Sequence, residues 1–159
     1  MNDMAQRIAP AAIRKTIEVK APIDRAFDVF ASRMGDWWHK EHSIACDTTQ
    51  KDVVVEPRAG GRWYEIGADG SEHQWGHVIA YEPPRRLILA WQLTREFAFD
   101  PELITPVEIN FEQKDGATIV TLEHRELERM GAGADATLES MDGGWGYLLD
   151  LFKAEVERG

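Results

Sequence analysis

The sequence predicts an α+β domain in which a curved antiparallel sheet of about six to seven strands wraps one long C-terminal helix. Two observations carry that prediction. Between residues 51 and 127, apolar-rich, strand-length segments follow one another, and Asp69-Gly70 and Asp115-Gly116 are two-residue signals of tight hairpins. Beyond them, Leu138, Met141, Trp145, Leu148, Leu149, Phe152 and Val156 recur at steps of three and four across Thr137 to Glu157, which puts them on one helical stripe. Successive hairpins make an antiparallel sheet, and a sheet with one wet face needs helix over the other.

Residues 1–12 read as a flexible tail and 13–159 as a single domain. Ile13, Lys15, Ile17 and Val19 alternate with Arg14, Thr16, Glu18 and Lys20 as a half-buried strand, which Pro22 ends. Pro22 also opens a short helix, whose apolar stripe is Ala26, Phe27, Val29 and Phe30. Gly35 is expected to break the chain, and Asp36 to cap a second short helix beginning with Trp37, Trp38 and Glu41. Strands follow over 51–57, 62–66, 72–82, 85–93, 106–113 and 117–127, with turns at Gly60-Gly61 and Pro83-Pro84; 128–136, holding Gly131 and Gly133, reads as a loop. Gly143, Gly144 and Gly146 lie inside the last helical pattern, each costing roughly 1 kcal/mol relative to Ala. Either the helix starts near Gly144, or backbone there lies close to another element or to a ligand beside Trp145.

A chain of 159 residues is long enough for one domain burying about 70% of its unfolded surface. The net charge of −10, with 18 basic residues scattered along the chain, argues against a nucleic-acid partner. Cys46 is the only cysteine, so neither an internal disulfide nor a cysteine-based metal cluster can form. No run of 18 apolar residues or secretory leader is present, so membrane insertion is not expected and the cytoplasm is the expected compartment. His39 and His42 stand three apart with no third ligand at motif spacing, and no phosphate loop, dinucleotide fingerprint or Gly-x-Ser-x-Gly elbow occurs. No metal and no tightly bound cofactor are therefore expected.

Three stretches carry a family resemblance. EPRAGGRWYE (Glu56 to Glu65), DGSEHQWGHVIAYEPPRRLILAWQ (Asp69 to Gln92) and GWGYLLDLF (Gly144 to Phe152) resemble the helix-grip, or SRPBCC/START-like, superfamily of START lipid-transfer domains, birch-pollen-allergen proteins and polyketide cyclases. Within it they are similar to the branch homologous to the C-terminal domain of activators of the ninety-kilodalton heat-shock protein ATPase. The resemblance spans Ile13 to Glu157. It implies an internal hydrophobic cavity for an apolar or amphipathic molecule. Some members catalyse aromatic cyclisation, and others only carry or sense a ligand.

Such a cavity belongs between the terminal helix and the sheet. Its expected walls are Trp145, Leu148, Leu149 and Phe152 from the helix, with Trp63, Trp75, His77, Leu89, Trp91 and Phe111 from the strands. Trp37-Trp38 would form part of its mouth, since neighbours on a helix cannot both point fully inward. His73, Trp75 and His77, spaced by two, should share a strand face with Ile79 and Tyr81. Glu65 shares a face with Trp63, and beside His73, His77 or His124 it would serve as a general acid or base; the competing reading leaves Glu65 solvated or paired with Arg62 or Arg86. His124 shares a face with Val120 and Leu122 and should point inward, where a histidine bonded to backbone is the plainer reading. Binding of a small apolar or amphipathic molecule is the leading function. The alternatives are a chaperone-activator-like interaction module and a cyclase or dehydratase; the other partners left open are a chaperone or other protein and a second copy of the chain.

Overall fold

The computed structural model describes residues 11–131 and 133–158, so the expected tail at 1–12 lies almost wholly outside the described residues. Strand β1 (Ile13–Val19) leads into helices α1 (Ile23–Ala31) and α2 (Met34–Trp37). Six more strands follow: β2 (Gln50–Val55), β3 (Arg62–Gly67), β4 (Glu72–Glu82), β5 (Arg86–Trp91), β6 (Thr105–Lys114) and β7 (Ala117–His124). A 3₁₀ turn at Leu127–Met130 falls where a loop was expected, and α3 (Asp135–Arg158) closes the chain. The sheet runs in the order β1-β7-β6-β5-β4-β3-β2, every pairing antiparallel, and curls as a half-barrel around α3.

The stripe on α3 becomes the core as its spacing requires. Met141, Trp145, Leu148, Leu149, Phe152 and Val156 are all buried, and Phe152 packs edge-on against Phe30 and Trp37 at ring separations of 5.1 and 5.4 Å. Each fully buried side chain of this kind contributes about 1.5–3 kcal/mol. The end of the helix is tied down by polar contacts: Arg25 donates to the Val156 carbonyl at 2.8 Å, satisfying one of the carbonyls that a helix terminus leaves without an internal partner. Outside, the sheet carries a row of alternating charges, Arg14, Glu123, Arg125, Glu108, Arg86 and Glu82, crossing from β1 to β4. Exposed pairs of this sort are worth at most about 1 kcal/mol each.

Two local expectations are corrected. The second short helix precedes its expected position, because Gly35 does not break the chain but lies inside α2. A Cβ there would meet the Asp52 carboxylate at 1.7 Å and the Val53 nitrogen at 2.8 Å, so glycine lets α2 lie on β2. Trp38 then leaves the helix in an extended conformation. That exit turns both Trp37 and Trp38 into the core, at 4% and 5% exposure, which consecutive helical positions would not allow.

The second correction concerns β4. Trp63 pairs with Gly76 and Tyr64 with Gln74, so Trp75 is an extra residue; another bulge follows at Ile79. A Cβ on Gly76 would sit 1.7 Å from the Ala90 carbonyl oxygen, which fixes glycine at that point. Each bulge shifts the period-two alternation by one residue. His73, Trp75 and Tyr81 therefore stand on the concave side, while His77 is carried to the convex side opposite Arg62, and Ile79 is exposed.

Candidate functional site

Helix α3 begins at Asp135 and runs without interruption through Gly143, Gly144 and Gly146, so the reading that started it near Gly144 is overturned. Of the alternative, close approach to another element does not hold, which leaves open space beside Trp145. A Cβ on Gly143 or Gly146 would meet nothing within 4 Å, and one on Gly144 only the His42 ring at 3.9 Å. The space beside Gly144 belongs to a pocket of about 270 Å³, bounded by the first half of α3, the 38–44 loop, the ends of β4 and β5, and the 93–97 turn.

Four tryptophans form its wall. Trp38 from the loop lies 4.9 Å from Trp75 on the β4 bulge and 5.8 Å from Trp145 on α3, and Trp91 at the end of β5 lies 5.9 Å from Trp145. Ile44, Leu93, Met141 and Leu148 complete the apolar lining. At the mouth are His42, Glu41, Ser140 and Phe97, all exposed. Phe97 holds a left-handed backbone (φ 62°), which costs an L-residue about 1–2 kcal/mol.

Most polar atoms of this wall bond to the protein itself. Trp38 Nε1 donates to the His42 carbonyl at 3.0 Å. The Glu65 carboxylate, fully buried behind the wall, accepts from Trp75 Nε1 at 2.9 Å, the Ile44 amide at 2.7 Å and the Ser43 hydroxyl at 2.5 Å. Glu65 is therefore neither solvated nor paired with Arg62 or Arg86; it fastens the mouth loop to the sheet. Trp145 Nε1 donates to His124 Nδ1 at 3.2 Å, which leaves Nε2 as the protonated nitrogen donating to Thr105 Oγ1 at 2.8 Å, and Thr105 in turn donates to the Trp91 carbonyl at 3.3 Å. Burial pushes the His124 imidazole down to about 3. Trp63 Nε1 and Trp91 Nε1 are buried without a partner among the described residues, each at a cost of about 1–3 kcal/mol.

Of the residues read as cavity walls from the sequence, Trp75, Trp91, Trp145 and Leu148 line the pocket. Trp63, Leu89, Phe111, Leu149 and Phe152 are buried but belong to the solid core beside and below it. His77 is displaced outward, where its Nδ1 bonds Gln92 Oε1 at 2.8 Å. His73 sits near the β3–β4 turn with Nε2 2.8 Å from Ser71 Oγ. Among the described residues no hydrogen bond joins Glu65 to a histidine, so the acid–base pair expected of Glu65 with His73, His77 or His124 is not assembled; each of the four already has another partner.

Apart from Met141 and Ser140 on the first turns of α3, the residues that sequence reasoning missed are on irregular segments: Trp38 as wall rather than mouth, His42, Ile44, Leu93 and Phe97. No periodicity runs through a loop, so only their chemistry marked them. His39 and His42 pack ring against ring at 4.9 Å, and Tyr147 of α3 packs on both. No group of three or more potential metal ligands is gathered among the described residues. None of the described helices is long and apolar enough to cross a membrane.

Comparison with known proteins places this architecture. The family model described as activator of Hsp90 ATPase homolog 1-like protein matches residues 20–157. No curated protein sequence matches. Among solved structures, the chain is similar to an anthrahydroquino-γ-pyrone synthase, Txn09, at 32% identity and a TM-score of 0.60, over 84% of this chain and 88% of that one. It is similar to CalC, a self-sacrificing resistance protein from Micromonospora echinospora, at 25% identity and a TM-score of 0.65, over 92% and 94% of the two chains. It also shares the fold of the Aha1 dimer from Colwellia psychrerythraea, at 15% identity and a TM-score of 0.66, over 93% and 97%.

Proposed function

The chain belongs to the activator of Hsp90 ATPase homolog 1-like family, and on that premise we propose that it binds a flat, largely apolar small molecule in the pocket between α3 and the 38–44 loop. The observation that carries this reading is the wall of Trp38, Trp75, Trp91 and Trp145 around open space beside Gly144. Aromatic walls with few polar groups are what small-molecule sites are built from, although 270 Å³ lies just under the roughly 300 Å³ at which drug-sized sites begin. A ligand of two or three fused rings suits it better than a lipid chain. Native mass spectrometry of freshly purified protein should find a small-molecule adduct, and Gly144→Leu, which puts a side chain into the pocket, should abolish it. An adduct that survives Gly144→Leu, or its absence from wild-type protein even after soaking with fused-ring aromatics, would overturn the reading.

A second reading, chemistry on an aromatic ligand, is favoured by the 32% identity to a synthase over most of both chains. The pocket's titratable groups for such a step are His42 and Glu41. Slow conversion of a bound polyketide-type aromatic, lost in His42→Ala while binding persists, would support it; unchanged turnover in that variant would remove it. A chaperone-activator-like role would require a contiguous exposed apolar patch. The exposed large apolar side chains among the described residues, Ile79, Phe97, Phe99 and Tyr147, stand on three separate segments, so that role has the family match behind it but no such patch.

A further inference from the structure

The charge around the pocket is of one sign. Among the described residues no lysine or arginine lines it, and the one carboxylate on its rim is Glu41. Burial, then the neighbouring His39, hold the His42 ring below its ordinary value, so His42 brings no positive charge to the mouth at neutral pH. A second carboxylate stands behind the wall. Glu65 is wholly buried, and its donors, the Trp75 indole, the Ile44 amide and the Ser43 hydroxyl, are all neutral; no lysine or arginine pairs with it among the described residues. All three of those residues line the pocket, so Glu65 is one side chain away from it. A buried carboxylate met only by neutral groups keeps an uncompensated field, which a low-dielectric wall passes on rather than screens. The tryptophans act in the same direction. Their electropositive N–H edges are all turned from the open space: Trp38 to the His42 carbonyl, Trp75 to Glu65, Trp145 to His124, and Trp91 buried out of reach. What they leave to a ligand is ring surface, and the faces of tryptophan attract cations more strongly than those of any other side chain.

We infer that the pocket takes an organic cation: a flat ring system bearing a quaternary or protonated nitrogen, whose charge lies against the tryptophans with Glu65 behind Trp75 and Glu41 at the mouth. This rests on the binding role proposed above and adds the sign of the ligand's charge. An anion of the same shape is rejected, since it would enter a desolvated site near two carboxylates with no cation to meet it. The net charge of −10 draws cations toward the chain as a whole. That attraction is screened at physiological salt, whereas a field inside a buried wall is screened much less. Preference for a cation over its neutral isostere at such salt therefore comes from the pocket.

The test uses N-methylquinolinium and 1-methylnaphthalene, which share one shape and differ in charge, with the full chain in equilibrium dialysis at pH 7.5 and physiological salt. Wild-type protein should bind the cation roughly fivefold more tightly. A merely apolar pocket would prefer the naphthalene, which water solvates poorly. Glu65→Gln, which keeps the size of the side chain and removes its charge, should bring the two affinities within about twofold of each other. Glu41→Lys, at the exposed mouth and outside the buried wall, should weaken the cation more than the naphthalene. Equal binding of the two probes by wild-type protein, or tighter binding of the naphthalene, would overturn the inference while leaving the pocket's binding role standing. So would a preference unchanged in both variants, or cation binding that survives Gly144→Leu at full strength, which would place it on the acidic surface. Failure of both probes to bind wild-type protein would remove the binding role and this inference with it.

Discussion

The two halves of α3 use the same apolar stripe for opposite purposes. From Leu149 to Val156 the helix is packed solid: Leu149, Phe152 and Val156 are at most 2% exposed, and Phe152 sits among Phe30 and Trp37. From Asp135 to Gly146 it carries three glycines within four positions and borders the pocket. In the first region every atom has a neighbour, as interiors at crystal-like density require. In the second, helix propensity is given up at Gly143, Gly144 and Gly146, and the vacancy beside Gly144 is not filled by the protein. The lesson is that amphipathic periodicity locates the face of a helix but does not say whether that face is covered by core or by open space.

The largest effect should separate the halves at once. Phe152→Ala removes a fully buried ring where nothing can collapse to replace it, and it should cost about 3–5 kcal/mol in urea or guanidinium denaturation. Trp145→Phe at the pocket removes only the indole N–H bond to His124 and part of a ring that borders open space, so it should cost clearly less, about 1–2 kcal/mol. Equal losses would mean that the helix is packed uniformly along its length.

Next comes the buried imidazole that joins the upper half to the sheet. His124 takes a proton at an ordinary value near 6.5 in the unfolded chain but only near 3 in the folded one. The unfolded chain therefore binds the proton first as pH falls. The stability associated with neutral His124 is complete above about 6.5 and declines below it by about 1.4 kcal/mol per pH unit. Between pH 6.5 and 4.5, the ordinary value of carboxylates such as Glu82, that amounts to roughly 2–3 kcal/mol. His42, shifted in the same direction, adds a smaller slope of the same sign. Denaturation curves at half-unit steps should show the decline in wild-type protein and a shallower one in His124→Gln. Identical slopes would show that His124 is not held neutral in the folded state.

How much of this was legible beforehand follows the same division. The alternation in β7 and the stripe on α3 placed Val120, Leu122, His124 and Phe152 inward, because burial there obeys a fixed period. The β4 pattern misplaced His77, because a bulge at Trp75 adds one residue to a period of two, and the only trace of it in the sequence was Gly76, needed where the Ala90 carbonyl comes close. Glu65 was read as a surface or catalytic carboxylate because its donors, Ser43 and Ile44, lie about twenty residues away on a loop with no periodic signal. Trp38 was read as mouth because a helix was assumed to continue through it; it became wall by leaving the helix. The fold lies in repeats of local pattern, whereas the pocket lies in the places where those patterns are interrupted.

Smaller effects test the pocket half alone, and their signature is that stability and binding move in opposite directions. Gly144→Ala replaces a helical glycine whose Cβ would touch only the edge of His42 at 3.9 Å, so it should raise stability by up to about 1 kcal/mol. The added methyl occupies pocket space, and affinity for a fused-ring probe should fall in the same variant. At a position in the solid half, enlargement would instead be destabilising.

Phe97 gives the finest version of that contrast. Its left-handed backbone suits glycine, its ring is 40% exposed, and it contributes to the pocket mouth, so neither burial nor conformational preference accounts for a phenylalanine there. Phe97→Gly removes both the strain and the ring and should raise stability by up to about 1 kcal/mol, a shift of about 2–4 °C in the thermal midpoint for a domain of this size. Phe97→Ala removes the ring and keeps the strain, so its midpoint should stay at or below that of wild type. Both should weaken a fused-ring probe to a similar degree, since both delete the same aromatic contact. If Phe97→Gly proves less stable than Phe97→Ala, the ring is a structural part of the 93–99 turn and the left-handed backbone carries no strain that glycine relieves. If both keep full affinity, the ring is not part of the mouth, and the boundary between the solid and open halves of the molecule lies deeper, at the tryptophans themselves.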